Sequence, residues 1–126
     1  MDDNFRKRLE ENGADVDTTL KRFMNNEKLY LKFIFKFLDD ANYNGIQENI
    51  TKQDYKAVFE YAHSLKGVAS NLGLDPITED VAQLTEQVRG KAPEEVDVEK
   101  VAELGKKLEE SYTRFCKLIG EYRDSQ

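Results

Sequence analysis

From Val101 to Tyr122 the apolar residues Val101, Leu104, Leu108, Tyr112, Phe115, Ile119 and Tyr122 return every three or four positions, with no proline between them. That period is the signature of one face of an amphipathic helix, and a helix with one apolar side must bury it against other elements. The last helix is therefore expected to begin between Pro93 and Val98 and to run towards Tyr122. A second stripe, Ile77, Val81, Leu84 and Val88, follows Asp75-Pro76 and stops at Gly90. Asp75 reads as its N-cap and Pro76 as its first helical residue, where a missing N–H leaves nothing unpaired.

The first half of the chain is less regular. Phe5 to Glu11 predicts a short helix ending near Gly13, and Asp17 is placed to cap a second one holding Leu20, Phe23 and Met24. Asn25-Asn26 interrupts the chain before Glu27 to Ala41, where apolar residues both alternate and follow a helical period. A lone strand would have no partner. The stretch is therefore read as a helix with Tyr30, Leu31, Ile34, Phe37, Leu38 and Ala41 on one face, and Phe33 and Phe35 at its flanks, evenly divided between core and docking surface. Asn42 to Asn49, with Asn44-Gly45, reads as loop. The expected fold is all-α: an up-down-up-down antiparallel four-helix bundle with one or two short N-terminal helices, forming a single domain over 1–126.

Between those stripes lies His63, the only histidine in the chain. Thr51 with Asp54 supplies a start signal for its helix. On a wheel of about 100° per residue, Val58, Tyr61, Leu65, Val68, Ala69 and Leu72 gather within about 60° of the pole opposite His63. Lys56, Phe59, Gly67 and Ser70 lie within about 40° of His63 itself, and Glu60 and Lys66 within about 60°. The imidazole thus points away from the core. A solvated histidine is uninformative by itself, but glycine in a helix interior costs about 1 kcal/mol relative to alanine. Placed beside the histidine on the exposed face, Gly67 marks a spot where another molecule approaches the backbone, and Lys66 offers a cation to an anion carried there.

The run His63-Ser64-Leu65-Lys66-Gly67-Val68-Ala69-Ser70-Asn71-Leu72-Gly73 resembles the signature of the histidine-containing phosphotransfer (HPt) domains of multistep phosphorelays. Gly13 with Ala14-Asp15-Val16, then Leu20, Arg22 and Phe23, is similar to that family's opening. The resemblance implies that His63 accepts a phosphoryl group from a receiver-domain aspartate and passes it to another receiver, with Lys66 as its electrostatic partner. It implies a receiver-docking surface of Lys56, Phe59, Glu60, Ser64, Gly67, Ser70 and Asn71. The partners would be response-regulator receivers or the receiver of a hybrid kinase. Mg²⁺ would arrive with the receiver, so this chain is expected to hold no metal or other cofactor. The competing reading is a bundle that binds a receiver or kinase without transferring phosphate, but pure binding has no need of Lys66 and Gly67 beside His63.

Other chemistry finds little footing. There is no P-loop glycine pattern, no His-x-x-His or Cys-x-x-Cys spacing, and no second histidine to activate a serine or cysteine. A phosphocarrier without ATP-dependent kinase activity is expected. A kinase dimerisation bundle would carry a different histidine box and a separate nucleotide domain. The net charge of −6, from 19 basic and 25 acidic residues, argues against nucleic acid or an anionic membrane as partner. One cysteine, Cys116, allows no internal disulfide and reads as a small boundary hydrophobe. Met1-Asp2-Asp3-Asn4 is unlike a signal peptide and no apolar run approaches the length of a membrane span, so a cytoplasmic protein is expected. Met1 and the polar ends favour a free-standing one, and a monomer is expected.

Overall fold

The computed structural model describes residues 1–126 and contains helices only. In order these are α1 (Asp3–Glu11), α2 (Val16–Arg22), α3 (Glu27–Lys36), α4 (Asn42–Lys52), α5 (Tyr55–Asn71), α6 (Asp75–Val88) and α7 (Val98–Asp124). Short 3₁₀ turns at Phe37–Asp39 and Pro93–Glu95 precede α4 and α7. Side-chain oxygens start most of the helices. Asp2, Asp15, Asn26, Asp54 and Asp97 accept the backbone N–H groups of Phe5, Thr18, Leu29, Ala57 and Lys100, satisfying donors that would otherwise lack partners.

Successive helices α4 to α7, joined by short connections, form the antiparallel bundle. α5 lies between α4 and α6, α6 packs on α7, and α4 reaches α7 to close the ring. The buried cluster runs from Phe5 to Ile119 and includes every member of the Ile77–Val88 stripe and Val101 through Ile119 of the last one. α1 covers the far end of α7, where Phe5 stacks on Tyr122 at 3.9 Å between centroids.

Several local expectations need correction. Asn42–Asn49 is not a loop but most of α4, and α4, not the Glu27 helix, packs along α5. Asn44-Gly45 resembles a turn signal, yet Gly45 is buried because the Tyr61 ring lies on it; a Cβ there would sit 2.6 Å from the ring. The glycine permits a close helix crossing. A second close crossing occurs at Gly105 of α7, whose carbonyl accepts from the Gln47 side chain at 2.9 Å. The helix beginning at Glu27 ends at Lys36, and Asp40 starts the next by accepting the Asn42 N–H at 2.8 Å. Ala41, expected on the buried face, is exposed.

Thr51 belongs to α4, so Asp54 alone caps α5. Asp15 caps α2 in place of Asp17, which pairs with Arg6. Asp75 is the first residue of α6 rather than its cap. The turn before it is too tight for another residue: fully buried Leu74 donates its N–H to the Ala69 carbonyl of α5 while its own carbonyl accepts from Thr78 in α6.

Candidate functional site

All nine residues singled out around His63 lie on α5. Lys56, Glu60, His63, Ser64, Gly67, Ser70 and Asn71 are exposed, whereas Phe59 and Lys66 are half-buried. The helix that carries them is anchored by fully buried Val58, Ala62, Leu65 and Ala69 on its opposite side, so the bundle core fixes the direction of the imidazole. Phe59, one turn before His63, lies nearly parallel to it, with centroids 5.9 Å apart and 18° between planes. Lys66 enters no ion pair. Its charge is therefore uncommitted within the chain.

The two glycines of the motif have different reasons to exist. A Cβ on Gly67 would meet nothing within 4 Å. No internal contact needs this glycine, which leaves an open strip of backbone one turn beyond His63. Gly73, with φ of +71°, is in the left-handed region, and a Cβ there would collide with the Thr19 hydroxyl and sit 2.6 Å from the Asp15 carbonyl oxygen. The Asp15 N–H donates to the Gly73 carbonyl at 2.8 Å. Arg22 donates to the Ser70 and Asn71 carbonyls at 2.9 and 3.0 Å, satisfying acceptors at the C-terminal end of α5. The N-terminal helices thus clamp the end of the histidine helix.

At the C-terminal end of α5 opens a groove of about 400 Å³ lined by Phe33, Lys36, Phe37, Asp39, Asp40, Val68, Asn71 and Leu72. Phe33 is 38 % exposed along this groove, next to Phe23 at 5.6 Å. Phe35 turns the other way and packs near Tyr122 at 6.0 Å. The two flanking phenylalanines therefore divide, one to the surface and one to the core. Sequence reasoning missed Arg89, whose guanidinium lies 5.1 Å from the Phe59 centroid although it comes from the end of α6. A signal for it existed: Phe59 and Arg89 are equally distant in sequence from Leu74, the centre of the α5–α6 hairpin, so an antiparallel register places them side by side.

Cys116 is half-buried, and burial pushes its thiol up, partly offset by a hydrogen bond with Tyr112. A raised thiol is the opposite of what a nucleophile needs. No group of three or more potential metal-ligating side chains comes together, and no helix is long and apolar enough to cross a membrane.

An exposed histidine flanked by a cation and an open glycine on a helical bundle defines a surface on which a small anionic group can be carried and another protein admitted. The chain belongs to the Hpt domain family, whose model matches residues 36–115, more than half its length. That family serves histidine phosphotransfer in phosphorelays, works with receiver domains, and comprises phosphocarrier modules rather than kinases. Comparison with curated proteins and with solved structures finds no match in either.

Proposed function

We propose that this chain is a phosphorelay intermediate in which His63 takes a phosphoryl group from the aspartate of one receiver domain and gives it to another. The observation that carries the reading is the exposure of His63 beside uncommitted Lys66 and open Gly67. A neutral imidazole nitrogen attacks the phosphorus in line. The N–P bond forms from the nitrogen lone pair while the P–O bond to the aspartate breaks, its electrons leaving with the carboxylate. The phosphoimidazolium can then shed its remaining N–H proton to water, and the reverse sequence loads the next receiver.

Lys66 neutralises part of the charge on the transferring group, and Mg²⁺ held by the receiver neutralises more. Gly67 and Ser70 let the receiver approach the helix, with Lys56, Phe59, Glu60, Ser64 and Asn71 around them. The groove with Phe33 at its edge extends that surface with apolar area. The setting is the cytoplasm, and residues 1–126 act as one monomeric unit.

The test is incubation of the purified chain with a phosphorylated receiver and Mg²⁺. Acid-labile, alkali-stable label is expected on the wild type and none on His63→Gln; equal labelling of both would remove His63 from the scheme. Lys66→Ala is expected to slow transfer by about tenfold or more, the scale of a lost charge-assisted contact, with its melting temperature unchanged. A chain that binds the receiver but never takes label would be the non-transferring interaction module instead.

A further inference from the structure

We propose that the corner formed by α3 and the turn before it docks on an anionic lipid surface, which it meets with a row of lysines and a few projecting apolar side chains. Lys28, Lys32 and Lys36 follow one another at single helical turns along the outer side of α3, away from fully buried Tyr30 and Ile34. All three are exposed and none enters an ion pair. Glu27, the one acid of the helix, is taken by the Met1 amino group. Like charges one turn apart destabilise a helix. A chain with 25 acidic residues thus leaves this row uncompensated at a cost to its own stability.

The same corner holds most of the exposed apolar side chains. Of the five large ones left exposed, Leu29 and Phe33 flank the lysine row one turn apart, and Met24 stands on the turn between α2 and α3. Met24 is 88 % exposed at φ of +55°, and Asn25 follows at +58°. Two successive non-glycine residues in the left-handed region carry strain, sustained here by the Asn25 N–H, which donates to the Leu20 carbonyl at 2.7 Å. Phe23, the residue before Met24, lies 5.6 Å from Phe33. The strained turn is therefore set against the apolar flank of α3.

Lipid fits this chemistry better than a protein partner. Protein interfaces favour arginine, whose fork makes directional bonds, and are poor in lysine. A lysine is a hydrated point charge on a flexible stem, suited to a diffuse anionic layer, where each one strengthens binding roughly fivefold. The net charge of −6 speaks against an anionic membrane for the molecule as a whole, but Lys21 to Lys36 hold five cations and one acid, a local net of +4. An anionic surface would repel the remainder and turn α3 towards itself. The cytoplasmic leaflet carries such headgroups. Docking there needs no membrane-crossing helix.

Nothing in this surface depends on His63, so lipid binding and phosphoryl transfer are tested separately. The full chain is sedimented with sucrose-loaded vesicles of phosphatidylcholine alone, or of phosphatidylcholine with phosphatidylserine at roughly two to one. Wild type and His63→Gln are expected to pellet with the anionic vesicles only, and to be released by about 0.5 M salt. Lys28→Glu, Lys32→Glu and Lys36→Glu combined should lower the partition coefficient at least about a hundredfold. Met24→Ser should lower it about fivefold, and both variants should melt near wild type. Equal pelleting with both vesicles, no pelleting with either, or binding that survives the lysine reversal overturns the lipid surface. So does a lysine variant whose only loss is slower charging of His63 by a phosphorylated receiver, since the row would then belong to the receiver.

Discussion

Gly67 and Gly73 sit near the same end of α5, yet physical chemistry assigns them opposite roles. Gly67 is in ordinary helix with open space above it, so alanine there should raise stability by about 1 kcal/mol, the helix-propensity difference. A longer side chain, Gly67→Gln, should also unfold in urea no earlier than wild type, for the same propensity reason, while slowing phosphoryl transfer from a receiver. Gly73→Ala should instead lower stability by at least about 1–2 kcal/mol, because a left-handed non-glycine residue is strained even before its Cβ meets Thr19 and the Asp15 carbonyl. Urea titrations of the two alanine variants check both signs; equal destabilisation would contradict the open space over Gly67. The sequence placed both glycines in one motif. Only the exposed one could be explained there, since the wheel records faces of a single helix and is blind to a turn approaching from α2.

Among the elements, the helices with strong three-and-four spacing, α6 and α7, were legible almost to their ends. α4 was not. Its buried face is thin, with Ile46 its main fully buried side chain, and Asn44-Gly45 carries the local composition of a turn. The helix exists because Gly45 lets Tyr61 close upon it and Gln47 bonds to Gly105, contacts made by residues distant in sequence. α2 illustrates a different limit: the cap expected at Asp17 falls at Asp15, whose carboxylate accepts the Thr18 N–H.

The Thr18 backbone and side chain donate to Asp15 and hold its carboxyl below the usual aspartate value. A lowered native value means that the unfolded chain binds the proton more readily. The cap's contribution is therefore complete above the ordinary aspartate value of about 3.9 and fades as pH falls through the lower native one. Asp15→Ala should melt below wild type at neutral pH, and the gap should narrow on acidification through this range. A gap that stays constant from neutral to strongly acidic pH would show that the carboxylate does not act as the cap.

At the scale of the molecule, the family match begins at residue 36, but the buried core does not. Phe5, Leu9, Val16 and Leu20 of α1 and α2 lie in the same cluster as the bundle. Each fully buried side chain of this kind contributes about 1.5–3 kcal/mol as an upper range, and their sum approaches the total stability of about 5–15 kcal/mol typical of such a protein. A chain shortened to residues 27–126 should therefore lose its cooperative thermal transition and bind a hydrophobic dye such as ANS. A sharp melt close to that of the full chain would show that the N-terminal helices are dispensable. The sequence by itself determined the all-helical class, the two long apolar stripes and the outward direction of His63, because periodicity and turn chemistry act within a few residues. The tertiary structure decided that α4 is a helix, that Phe33 faces the groove while Phe35 packs inward, why Gly73 is glycine, and that Arg89 stands beside Phe59. Each of these depends on which helices meet and at what height, and no local period encodes that.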